Sequence, residues 1–384
     1  MRADWTPPGY FQRSLLEWKA RQFRDPVQKL AYLRKAASRR TSSLPVRLFA
    51  YSALALILIL VLGSRLRTVP EVNADLPGEK NETHSGRDDR PDSYPAPLGT
   101  AWLVERGPDY EVYSNGLRLE SRYLAPNVTR SYVMFRNGSP GSRMSKPAGI
   151  VFHTTESLLA PFAPGENDSL TRIGQELLEY VKRRQSYHFL IDRFGRVFRI
   201  VPETDVANHA GYSVWADPNG VYVNLNHSFL GISFEAQTRD LHQGPYLNRS
   251  QIRSGHLLVE MLVSRYQIPL RNCITHAQVS VDPETMTIGS HTDGSGDFPF
   301  RELGLPDNHG MPIPSLFVFG FDYDSRFVML SGTRIWKGMI LADEQLRRDA
   351  EARRLPVARH KEMLRENYRA SIATLKSLGI IKEN

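Results

Sequence analysis

One stretch divides this chain before anything else is considered. From Leu48 to Ser64 it runs LFAYSALALILILVLGS without a charge, and Arg47 and Arg65 bracket it. As a helix those 17 residues would measure about 25 Å, the short end of what crosses a bilayer. A helix apolar on every side and fenced by arginines suits lipid better than a soluble core. A removable signal peptide fits poorly, because a long basic segment precedes the run and no small-x-small site follows it closely. Residues 1–47 hold 11 Lys/Arg against 3 Asp/Glu. The positive-inside rule therefore puts a basic tail, residues 1–46, in the cytoplasm, a transmembrane anchor at 47–65, and everything beyond outside. The expectation is a single-pass cell-membrane protein with an extracytoplasmic working region.

Composition narrows that region. With 41% hydrophobic and 23% charged residues the 384-residue chain has ordinary globular usage, which excludes wholesale disorder and a multi-span membrane protein. Beyond residue 47 the remaining 38 basic and 38 acidic residues balance, so the folded part lacks the basic footprint of a nucleic-acid binder. The one cysteine, Cys273, excludes an internal disulfide and reads as a small buried hydrophobe. Residues 66–98 are rich in Pro, Asp, Asn, Ser and Gly with no apolar period, the composition of a disordered linker.

From residue 99 the signals alternate. A β-rich lead-in, 99–146, contains Asn115-Gly116 between two β-like runs, a strong hairpin signal. Gly149–His153 reads as a buried strand. Residues 169–184 read as a helix with Leu170, Ile173, Leu177 and Val181 on one face. A second hairpin turns near Phe194-Gly195, Phe229–Glu235 is strand-like, and 250–266 reads as a helix. Two β runs are expected over 315–330, as a hairpin in a C-terminal segment 306–384, and helix over 342–378 divided at Pro356. This pattern predicts an α/β fold, a central mixed β-sheet flanked by helices, with an N-terminal transmembrane helix and β and helical accessory segments.

The chemistry concentrates in histidines. His153 ends an apolar strand, His276 ends another, and His291-Thr292-Asp293 lies in a Gly/Ser-rich loop. Two histidines and a carboxylate, with a fourth position for water, make the ligand set of a catalytic zinc site rather than a closed structural one. Taken singly, each residue is as well explained as a packed histidine or a turn aspartate.

The order of the surrounding motifs is more specific. IVFHTT, SYHFLIDRFGRVFRIVPE, ANHAG, LGISFE, ITHAQ and TDGSGDFPF follow one another between residues 147 and 305. The series resembles the type 2 N-acetylmuramoyl-L-alanine amidases, a family that includes peptidoglycan recognition proteins and phage lysozyme-amidases. The resemblance implies a zinc hydrolase that cuts the amide between N-acetylmuramic acid and L-alanine in peptidoglycan, on a mixed sheet flanked by helices. It implies His153, His276 and Asp293 as zinc ligands, with Asp297 the rival for the third place. Tyr187 matches a tyrosine aimed at the reaction centre, and His209 a histidine bordering the substrate groove. Two positions depart from the family. Ser233 stands where some members have a catalytic glutamate, with Glu235 two residues further along the same side of the strand. His291 replaces a lysine or threonine and is able to act as acid or base, while the long loop before it leaves open the converse assignment, His291 as ligand and Asp293 as its partner. The alternative to an enzyme is a peptidoglycan-binding module without turnover, or a wall-anchored scaffold.

Overall fold

The computed structural model describes residues 98–238, 246–296 and 298–381. The basic tail, the expected anchor and all but the last residue of the linker lie outside the described residues. Among the described residues no helix is long and apolar enough to cross a membrane.

In chain order the strands are β1 (Leu103–Arg106), β2 (Tyr110–Tyr113), β3 (Arg118–Glu120), β4 (Phe135–Arg136), β5 (Ser139–Pro140), β6 (Gly149–Thr154), β7 (Phe189–Ile191), β8 (Val197–Arg199), β9 (Val214–Asp217), β10 (Gly220–Val223), β11 (Phe229–Phe234), β12 (Cys273–Thr275), β13 (Val281–Asp282) and β14 (Thr287–Ile288). The main helices are α1 (Asn167–Arg184), α2 (Arg249–Tyr266), the single turn α3 (His276–Val279), α4 (Pro314–Phe319), α5 (Ser325–Ala352) and α6 (Val357–Ser377).

Eight strands form the central sheet in the order β1-β2-β3-β8-β7-β11-β6-β12. It is mixed, as expected: β7, β11, β6 and β12 run parallel, while β8 pairs antiparallel with β7. Every residue of β6 and β11 is buried, the mark of strands covered on both faces. Alternation sends Ile150 and Phe152 into one layer, where Leu258, Met261 and Leu262 of α2 pack with Phe298 and Phe300. Val151 goes to the opposite layer with Ile274, Trp215 and Tyr222. Leu177, Leu178 and Val181 of α1 cover Leu190 and Phe198 in a third cluster. His153 shares a face with Val151, away from α2.

The first half of the lead-in joins this sheet, while β4 and β5 pair with β10 and β9 in a separate four-stranded sheet, order β5-β4-β10-β9. Its hairpin turns at Gly116, whose φ of 86° is the left-handed conformation an Asn-Gly turn supplies. β3 then joins the sheet edge by pairing parallel with β8.

The C-terminal segment differs from expectation. Residues 315–330 form no β hairpin: α4 covers the first part, 320–324 connect with an isolated bridge from Asp322 to Thr287, and α5 begins at Ser325. The alternation in SLFVFGFDYDSRFVML mimics a strand, but the punctuation belongs to helices. Pro314 occupies the first turn of α4, Gly320 closes it with φ 68°, and the Asp324 carboxylate accepts the Phe327 N–H at 2.7 Å as the cap of α5. Pro356 divides the later helices as the pattern suggested, standing at the start of α6.

Candidate metal centre

The parallel strands β11, β6 and β12 end on the same side of the sheet, where ligands gather in open α/β folds. His153 is the penultimate residue of β6, and His276 opens α3 immediately after β12. The turn holding His276 is a capping box: Gln278 Oε1 accepts the Thr275 N–H at 3.1 Å, and Thr275 caps the turn in return. Asp293 arrives on the loop after β14, its carbonyl accepting the Ala277 N–H at 3.1 Å. Gly294, at φ 76°, lets that loop come close, since a Cβ there would stand 2.9 Å from Thr275.

The structure brings His153, His276 and Asp293 together, all buried, with one donor atom from each within 4.8 Å of the others. The two imidazoles share one carboxylate: His153 Nδ1 lies 3.0 Å from Asp293 Oδ2, and His276 Nδ1 lies 2.9 Å from Oδ1. Burial alone would raise the Asp293 carboxyl, but His276 and then His153 outweigh it and hold it well below the usual carboxylate range. Burial, followed by the neighbouring His276, lowers His153 to about 4, so its ring is neutral near pH 7. A neutral imidazole and an ionised carboxylate are the protonation states that ligate a metal.

Behind His153 stands the residue expected at the border of the substrate groove. His209 is buried, and its Nδ1 lies 3.2 Å from His153 Nε2, while its own Nε2 faces the Phe229 carbonyl at 3.3 Å. This chain gives His153 a proton acceptor on the side remote from Asp293, as a metal-ligating histidine requires. Two residues that the sequence did not single out make it possible. Gly231 has no side chain, and a Cβ there would stand 2.6 Å from His209 Cγ. Asn226 Oδ1 accepts the backbone N–H groups of His209, Ala210 and Gly211 at 2.9, 2.6 and 3.1 Å, which fixes the HAG turn. Neither position stands out in a periodicity or a spacing.

The other candidates surround the cluster. The Tyr187 ring centroid lies 5.2 Å from that of His153, and burial, with the Asp293 charge after it, pushes its phenol up to about 12. Tyr187 therefore keeps its proton near neutrality and can donate it in a hydrogen bond. The next residue, His188, is fully buried beneath His209, with ring centroids 5.6 Å apart, and Arg130 Nη2 lies 2.6 Å from its Nε2. His291 stacks on His276 with ring centroids 4.7 Å apart and stays exposed, on the open side of the cluster. Ser233 is buried in register with His153. The Glu235 carboxylate is turned to the β7–β8 connection and accepts the Arg193 N–H at 3.1 Å. Asp297 lies outside the described residues.

The donor set fits a zinc ion: two imidazole nitrogens and a carboxylate converge from three buried residues, and the rear nitrogen of one of them already has its acceptor. The arrangement also fixes a protonation state. Burial first, then the neighbouring His153 and His188, hold His209 well below the ordinary histidine range. Nitrogen-15 NMR of the imidazoles should show His209 still neutral, with the proton on Nε2, at the pH where an ordinary histidine is half charged. A His209 that charges between pH 6 and 7 would break the acceptor role assigned to it.

Residues 143–293 match the family described as N-acetylmuramoyl-L-alanine amidase. No curated protein sequence matches the chain. Among solved structures, the chain is similar to AmpDh3 from Pseudomonas aeruginosa in complex with anhydromuramic pentapeptide, at 25% identity over 41% of this chain and 58% of that one, with a TM-score of 0.30. It is similar to the N-acetylmuramyl-L-alanine amidase AmiD from E. coli, in complex with the substrate anhydro-N-acetylmuramic acid-L-Ala-D-gamma-Glu-L-Lys, at 22% identity over 44% and 64% of the two chains, with a TM-score of 0.31. A third likeness is the Drosophila peptidoglycan recognition protein SD, at 19% identity over 43% and 85%, with a TM-score of 0.27. The chain spans about three fifths of the length of the first two. The histidine and aspartate cluster lies inside the segment that matches the N-acetylmuramoyl-L-alanine amidase family.

Proposed function

We propose that this chain is a membrane-tethered, zinc-dependent N-acetylmuramoyl-L-alanine amidase that hydrolyses the amide between N-acetylmuramic acid and L-alanine in peptidoglycan. The observation that carries the reading is the convergence of His153, His276 and Asp293 inside the segment matched to that family.

His153 and His276 would hold the ion through Nδ1, and Asp293 through its carboxylate. Zinc in such a site supplies Lewis acidity and activates water. The protein contributes the rest. Asp293 brings a negative charge between the two imidazoles, and His209 keeps His153 in the tautomer that leaves Nδ1 free. The protonated Tyr187 hydroxyl, beside His153, is suited to donate to a developing oxyanion, a contact worth roughly 3 kcal/mol. His291, exposed and stacked on His276, is placed to pass a proton to the leaving amine of alanine. The uncharged run 48–64 would tether the domain, with the basic tail in the cytoplasm and the catalytic region on the wall side.

One observation favours a second reading, a peptidoglycan-binding module without turnover. Ser233 stands beside His153 where some family members have a catalytic glutamate, and Glu235 is engaged with Arg193 instead of facing the cluster.

Digestion of purified peptidoglycan by the zinc-loaded protein should release new L-alanine amines without new reducing ends. Binding with neither product would favour the module, and reducing ends alone would end the amidase reading. His276→Ala and Asp293→Ala should each lose both zinc and activity, whereas His291→Ala should keep zinc and lose on the order of 10²-fold in rate. A metal-free His291→Ala with a zinc-replete Asp293→Ala would exchange their roles. A reporter at the C-terminus should be active only when it reads the extracytoplasmic side; protection of that domain from protease added to spheroplasts would reverse the topology.

A further inference from the structure

The loop that brings Asp293 to the two histidines is glycine-rich, with Gly289, Gly294 and Gly296 within eight residues, and a loop of that composition does not order itself. Much of what holds it comes from residues 306–381, beyond the segment matched to the amidase family. At its start, Ile288 N donates to Asp322 O at 2.8 Å and Asp322 N donates to Met286 O at 2.9 Å. The Asp322 carboxylate is itself fixed by Lys361 and Arg365 of α6, each at 2.6 Å. Gly289, at φ 80°, lies directly on Phe327 of α5, where a Cβ would come within 2.2 Å of the ring.

Next to Asp293 the grip tightens. His309 Nε2 lies 3.3 Å from the carbonyl oxygen of Gly294, the residue that follows Asp293. That ring is fully buried, packed edge-on against Phe300 with centroids 4.8 Å apart, and its other nitrogen lies 3.3 Å from Asp307 Oδ1. Beyond Gly294, the Ser295 hydroxyl reaches Leu330 O at 3.5 Å and the Gly296 N–H reaches Ser331 O at 3.3 Å. In an unbroken helix those two carbonyls would face amides four residues on. α5 is broken at Gly332, whose φ of 79° and ψ of 165° belong to a region essentially reserved for glycine.

We propose that the C-terminal segment is a clamp that positions the third metal ligand, with His309 as the positioning residue beside Asp293 and the Gly332 break as its second jaw. This rests on His153, His276 and Asp293 being a zinc site. A ligand held in place before the ion arrives does not have to be ordered by it, and loss of such support typically weakens metal affinity 10- to 100-fold.

The test uses the full-length protein in detergent, with zinc affinity read by chelator competition and the metal-free melting temperature measured alongside. His309→Phe keeps the buried ring and removes the donor. It should raise the zinc dissociation constant about 10-fold with little change in metal-free melting temperature. His309→Gln, whose amide N–H reaches about as far as Nε2, should recover most of the loss. Gly332→Ala, which disfavours the break, should weaken zinc in the same direction and decides the matter if His309→Phe does not fold. Variants that melt earlier yet hold zinc as tightly as the unaltered protein would make these contacts purely structural and overturn the clamp. If the unaltered protein binds no better than His276→Ala, the zinc site itself fails.

Discussion

One carboxylate between two buried imidazoles is the constraint on which the rest of this structure turns. Asp293 gives one oxygen to His153 and the other to His276, in a place where an unpaired charge would be costly. Each of the three residues comes from a different part of the chain, so the arrangement depends on elements far apart in sequence. β6 sits between β11 and β12, which sets His153 beside the start of α3. The loop after β14 must then return over the end of the sheet with its carboxylate facing both rings.

The support behind the cluster is as specific as the cluster. His209 accepts from His153 only because Gly231 leaves room for its ring against β11, and Asn226 fixes the turn that carries it. Arg130 extends the same logic from the lead-in. Its guanidinium is buried among the carbonyls of Glu203, Asp205, His227 and Phe229 and reaches His188, so the segment before the matched region is built into the floor of the site. On the other side, the C-terminal helices reach the Asp293 loop through backbone and His309 contacts. The matched segment therefore does not make the site alone.

Much of this was legible in the sequence where the signal is local. The apolar run of β6, the Asn-Gly hairpin and the faces of α1 and α2 are short-range signals, and the structure follows them. The three candidate ligands were singled out by residue type and motif order, and they converge. What was not legible is non-local or depends on small residues. The parallel pairing of β3 with β8 has no short-range signature. The place of His209 under His153 follows from a missing Cβ at Gly231. Over 315–330 a period of two was present, but Pro314, Gly320 and Asp324 punctuate helices, and those breakers outweigh alternation in so short a run.

X-ray absorption at the zinc edge tests the assignment at the centre of this structure most directly, because it counts imidazoles around the ion and identifies the lighter ligands. If His153, His276 and Asp293 hold the metal, the zinc-loaded full-length protein will show two imidazoles and oxygen ligands, at about 2.0–2.2 Å, and no sulfur. Three imidazoles would bring His291 or His209 into the shell, and a spectrum with only one would leave the carboxylate bridge between His153 and His276 without its metal; either result would contradict the assignment.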